Sequence, residues 1–77
     1  MSFNLINRDP NARVGMRIRM EEMDPDEKNP VDEDLEGTID KIDGIGTLHV
    51  IWDDGRYIGV IPNVDKYTLL PLTSNIY

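Results

Sequence analysis

"LHVIWDDGRYIGVIP", residues 48–62, sets two apolar runs on either side of a turn. In the first run Leu48, Val50 and Trp52 alternate with His49 and Ile51, the period of a strand with one buried face. Asp54-Gly55 follows, and that pair predicts a type I′ hairpin turn, in which both central residues take positive φ. The second run, "RYIGVI", returns from the turn, and Gly59 at its centre leaves space for a bulky side chain from elsewhere. Pro62 cannot continue a ladder, so "PNVDK" reads as a tight helical turn. Trp52 shares the Leu48/Val50 face and is expected to pack in the core rather than grip a ligand.

The same period recurs on both sides of this hairpin. In "GMRIRM" Met16, Ile18 and Met20 alternate with Arg17 and Arg19, predicting a first strand that begins at Gly15. "EEMDPDEKNPVDEDLE", residues 21–36, sets nine acids and two prolines against one lysine, which reads as a long acidic loop. "GTIDKID" predicts a second strand with Ile39 and Lys41 on one face and Thr38, Asp40 and Ile42 on the other. Gly37 at its start marks a bulge or a sharp bend. "GIG" supplies a turn through Gly44 and Gly46, and "YTLLPL" is a fifth strand that Pro71 ends or confines to an edge.

No helical period is longer than a turn. Five short strands, a long loop after the first and a tight hairpin predict an all-β fold: a small five-stranded SH3-like barrel with a long acidic loop after the first strand. Its interior is expected to be filled by its own side chains. The expected division is a flexible N-terminal arm over 1–14, the barrel over 15–71 and a flexible tail over 72–77.

Seventy-seven residues with no cysteine form one domain without disulfides or thiolate chemistry. Fifteen acids against eight bases give a formal charge of −7, which penalises DNA, RNA and anionic lipid. No apolar run approaches the roughly 20 residues that span a bilayer, and "MSFNLINRDPNARV" lacks the apolar centre of a signal peptide. A cytoplasmic location is expected.

"GMRIRMEEM", "EGTIDKIDGIGTLHVIWDDGR" and "IPNVDKY", taken together at these spacings, resemble a bacterial family catalogued as domain of unknown function 4314, over about residues 15–70. The resemblance implies a compact β-domain from bacteria or their mobile elements, and it implies no activity and no functional residues. Asn63 stands where the family pattern has glycine; asparagine tolerates the same left-handed backbone, so the turn should survive. A wider likeness joins the "VIWDDG" hairpin to Tudor-like and other SH3-like modules, which host many unrelated functions.

Catalytic and metal chemistry find little support. Lys28 and Asn29 break any calcium-loop pattern in the acidic segment, so no metal and no cofactor is expected. His49, the sole histidine, has no second imidazole or thiolate beside it; Asp53 or Asp54 is the carboxylate within its reach. No phosphate-binding loop, dinucleotide fingerprint or nucleophile elbow is present, so the chain is not expected to be an enzyme. Arg17, Arg19 and Arg56 are expected to neutralise neighbouring carboxylates rather than contact phosphate.

What remains is a non-catalytic protein-interaction module for a basic or proline-rich segment. Its expected contact residues are Glu21, Glu22, Asp24, Asp26, Glu27, Asp32, Glu33, Asp34 and Tyr57, while Trp52 and Tyr67 are structural aromatics. Two alternatives differ in kind: a nucleic-acid-associated barrel using Arg17, Arg19 and Arg56, and an acidic nucleic-acid-mimicking inhibitor from a mobile element.

Overall fold

The structure is a computed structural model describing residues 8–71. Its five antiparallel strands are β1 (Arg17–Glu22), β2 (Glu36–Ile42), β3 (Leu48–Trp52), β4 (Tyr57–Val60) and β5 (Lys66–Leu70). They form one sheet in the order β4-β3-β2-β1-β5, so β1 to β4 run as a meander and β5 returns beside β1. Among the described residues no helix is long and apolar enough to cross a membrane.

The core follows from the alternation. Ile18 and Met20 on β1, Ile39 on β2, Leu48, Val50 and Trp52 on β3, and Val60 on β4 are each no more than 1% exposed. Met23 and Val31, from the segment joining β1 to β2, close over the same cluster, and Ala12 enters from the N-terminal side. The indole of Trp52 is buried in this cluster, and its Nε1–H donates to the Ile58 carbonyl at 3.0 Å, so its one polar group is met.

Gly37 sits where β2 and β3 approach too closely for a side chain. A Cβ there would lie 2.7 Å from both the Ile51 carbonyl oxygen and Val50 Cγ1. The bulge expected near it falls instead at Asp40: Ile39 pairs with Val50 and Lys41 with His49, leaving Asp40 unpaired in the register. That extra residue reverses the phase of the strand. Ile42, expected on the Thr38 face, is thereby opposite Leu48 and packs against the core with Ile39.

The two short turns of the meander share one form, and the β3–β4 turn is not the type I′ that Asp54-Gly55 predicts. Trp52 N–H donates to the Arg56 carbonyl and Gly55 N–H to the Trp52 carbonyl, with Gly55 at φ 95°. Asp54 does not take positive φ, so the connection is a three-residue loop closed by a left-handed glycine, not a type I′ turn. Asp43 to Thr47 repeats this pattern with Gly46 at φ 98°, and Gly44 stays at negative φ. Asn63 adopts φ 74°, the left-handed conformation its place in the "PNVDK" turn requires.

Strand boundaries also move. Gly15, at φ 94°, donates its N–H to the Ile39 carbonyl as part of a turn, so β1 starts at Arg17. β1 takes in Glu21 and Glu22 and β2 takes in Glu36, so both ends of the expected loop 21–36 lie in strands. Within residues 8–14, part of the expected arm, Ala12 is buried and Asp9 accepts a hydrogen bond from the Tyr67 hydroxyl at 2.7 Å. Residues 1–7 and the expected tail, 72–77, lie outside the described residues.

Candidate functional site

The segment 23–35 crosses the core and meets the β3–β4 hairpin. One buried carboxylate anchors its start. Asp65, 7% exposed, accepts the Asp24 N–H at 2.7 Å and the Ile61 N–H at 2.9 Å, tying the segment to the turn before β5. Met23 and Val31 hold it from beneath, and the Arg56 guanidinium donates to the Pro30 carbonyl at 3.2 Å. Between these anchors the chain stands away from β4.

The space so formed is an open groove of about 490 Å³, lined by Glu27, Asn29, Arg56, Tyr57, Ile58 and Gly59. Glu27 and Asn29 make one wall, and the β4 strand makes the other. Arg56 brings a positive charge to the rim, but Asp54 accepts from its Nε–H at 2.8 Å and offsets it. Glu27 makes no ion pair among the described residues, so its carboxylate is the unbalanced charge in the lining. Tyr57 is 55% exposed and stands where β4 leaves the hairpin.

On the outer face Tyr57 belongs to a chain of polar contacts. Its hydroxyl donates to Asp40 at 3.1 Å, and its ring stacks on His49 with centroids 6.1 Å apart. His49 Nε2 lies 2.9 Å from Asp43 Oδ2, not from Asp53 or Asp54. A carboxylate only accepts, so the neutral imidazole carries its proton on Nε2. The His49 bond, with the Thr47 and Ile45 N–H groups on the other oxygen, holds the Asp43 carboxyl below its usual pKa against a partial burial that opposes it. Among the described residues no hydroxyl hydrogen-bonds the imidazole, so the pair clamps a turn and aims no nucleophile. Partial burial, then Asp40, raise the Tyr57 pKa; burial, then Asp9, raise that of Tyr67.

The other expected contact residues disperse. Glu21 sits in a bulge of β1, accepts from Thr68 Oγ1 at 2.7 Å and pairs with Arg19 at 3.3 Å, and these partners lower its pKa. Glu22 faces Lys66 at 3.7 Å. Asp24 is half-buried and accepts the Asp26 N–H in a turn; Asp26 is exposed beside it. Asp32, Glu33 and Asp34 are exposed at the far end of the segment, where Asp34 takes φ 70° and donates its N–H to the Met20 carbonyl. Of the nine, Glu27 and Tyr57 alone line the groove.

Arg17, Arg19 and Arg56 are each engaged by a carboxylate. Arg17 makes a two-pronged contact with Asp53 at 2.9 and 2.6 Å and reaches Glu36 at 3.3 Å, and Asp53 is the main cause of its raised pKa. Among the described residues no group of three or more His, Asp or Glu side chains is placed to hold a metal ion. Asp65 escaped sequence reading, although "PNVDK" contained it; nothing local says that its partner is the Asp24 amide, 41 residues away.

The family model of a domain of unknown function (DUF4314) matches residues 10–70. The chain belongs to this family. The matched span takes in the Ala12 turn, all five strands and the Asp65 anchor, so the family pattern covers the whole described sheet. No curated protein and no solved structure matches the chain.

Proposed function

We propose that this member of the DUF4314 family is a non-catalytic interaction module of the bacterial cytoplasm, built as an SH3-like barrel, that binds a basic or proline-rich protein segment. The strand order supports the barrel: a four-strand meander with the fifth strand returned beside the first, joined through the left-handed Asn63 turn. The acidic loop is the segment 23–35, and the groove carries the functional reading. Its lining includes a carboxylate with no ion pair among the described residues, Glu27, and an exposed aromatic residue, Tyr57, in a chain of charge −7. Such a field speeds the approach of a cationic segment, and an aromatic wall receives the apolar stem of lysine or a proline ring.

The nucleic-acid alternative has less support, because Arg17, Arg19 and Arg56 each face a carboxylate that offsets their charge. Titration of lysine-rich and proline-rich peptides against the protein at rising ionic strength tests the reading. Affinity should fall as the screening length shortens from about 30 Å at 0.01 M to about 8 Å at 0.15 M. It should fall again when Asp26, Glu27, Asp32, Glu33 and Asp34 are made amides. Affinity indifferent to both changes would refute it.

A further inference from the structure

The main chain of β4 is itself a recognition element. Trp52 N–H donates to the Arg56 carbonyl at 2.8 Å, which makes 52–56 a hydrogen-bonded pair of the hairpin. Val50 pairs with Ile58 and Leu48 with Val60, while His49 faces Gly59 and Ile51 faces Tyr57. In an antiparallel ladder bonded and non-bonded pairs alternate. The N–H and C=O groups of Ile58 and Val60 therefore turn toward β3, and those of Tyr57 and Gly59 turn away from it. β4 is the last strand in the sheet order, so these groups lie along its free edge, with no backbone partner among the described residues.

The two edges of the sheet are treated differently. β5 opens with Lys66 and is followed at once by Pro71, two residues that discourage another strand from pairing. β4, "YIGV", carries neither lysine nor proline nor any charge. The groove runs beside this unguarded edge, with Ile58 and Gly59 on its β4 wall and Glu27 and Asn29 opposite.

We propose that the groove accepts its partner by strand addition: a short extended basic peptide, free of proline, pairs with the Tyr57 and Gly59 backbone and directs alternate lysine or arginine side chains at Glu27. This rests on the interaction-module reading and narrows it. Alternate side chains of the added strand point to opposite sheet faces. One set faces residues 27–29, where the Glu27 carboxylate lacks a cation among the described residues. The other lies over Gly59, a position with no side chain of its own and left open by the Tyr57 ring, which leans over His49 toward Asp40. A second copy of this chain is disfavoured as occupant, since pairing two molecules of charge −7 sets like fields together.

The probe is an amidated heptapeptide with lysine at alternate positions and valine or threonine between them. It is compared with its glutamate counterpart, a lysine–proline heptapeptide, and two versions N-methylated at one or the other set of alternate amides. Binding is read by anisotropy at 0.01 M salt, and backbone exchange of the protein by amide hydrogen–deuterium NMR. The lysine peptide should bind, slow exchange at Tyr57 and Gly59, and weaken by roughly tenfold on methylation in one phase only. Glu27→Gln, at an exposed residue outside the core, should weaken it about threefold.

Salt-sensitive binding with no protection at Tyr57 and Gly59, equal tolerance of both methylation phases, or preference for the lysine–proline peptide overturns strand addition and leaves the interaction-module reading standing. Failure of every cationic peptide to bind overturns both. Protection of the two amides in the free protein overturns strand addition as well: with a dimer mass it assigns the edge to a second copy, and in the monomer to the chain itself.

Discussion

Replacing Asp65 with alanine removes a side chain that ties the start of the 23–35 segment to Ile61, in the turn between β4 and β5. Its two oxygens accept N–H groups from Asp24 at 2.7 Å and Ile61 at 2.9 Å, and the residue is 7% exposed. A donor left unmet in a buried setting costs about 1–3 kcal/mol, and two are left here in partly buried positions. Part of that is recovered where water follows the lost carboxylate, so a net loss of about 3 kcal/mol is expected. A 77-residue chain has about 4–12 kcal/mol of stability in all, so the variant should be close to its limit. At about 4–8 °C per kcal/mol for a domain of this size, Tm should fall by roughly 15 °C or more. Asp65→Asn keeps one acceptor and should lose about half as much. Urea unfolding followed by circular dichroism gives the free energies, and amide exchange at Asp24 and Ile61 should accelerate ahead of the β3 core. A loss of under about 0.5 kcal/mol in Asp65→Ala, the range of an ordinary surface substitution, would refute the anchor.

Gly37→Ala forces a methyl against the Ile51 carbonyl and Val50 Cγ1 at 2.7 Å; backbone must shift, and about 2–4 kcal/mol of destabilisation in the same urea assay is expected. Gly55→Ala meets open space but must hold φ 95°, so its cost should be only about 1 kcal/mol, and a larger loss would point to an unseen contact. Acid should destabilise the fold. Glu21, Asp43, Asp53 and Asp54 all have lowered pKa values, from Thr68, His49, Arg17 and the Arg56 N–H respectively. The folded chain therefore binds fewer protons than the unfolded one around and below pH about 4, and stability present above that range drains away as pH falls through the folded values. Tm measured from pH 7 down to 2 should drop, and a flat profile would contradict these contacts. At the alkaline end Tyr57 and Tyr67 have raised values, so stability held below pH about 10 should decline as pH climbs through theirs.

The elements that could be read from sequence were those governed by neighbours in the chain. Leu48, Val50 and Trp52 obey a period of two because a half-buried strand imposes it, and all three are buried. Asn63 was legible because a left-handed turn position admits few residue types. A bulge is different in kind: Asp40 shifts the phase by one, and only the register with β3 reveals that Ile42 has changed faces. The glycine of the Asp54-Gly55 pair was legible as a left-handed position, but the loop length that separates the turn types is set by where the ladder closes, at Trp52 and Arg56. The candidate site was the least legible feature. Its walls come from residues 27–29 and 56–59, which meet through the Asp65 anchor and the Arg56 contact to Pro30. Acid content singled out the segment but not which of its acids face the groove: Glu27 lines it, while Glu21 and Glu22 engage Arg19, Thr68 and Lys66.

Chemical-shift mapping of the isotope-labelled protein, titrated with the alternating-lysine heptapeptide at low and physiological salt, tests the central claim most directly. Shifts concentrated at residues 27–29 and 56–59, shrinking as salt rises, are the expected result. Shifts centred on the Arg17–Glu36–Asp53 face, or spread evenly over every acidic residue, would contradict it.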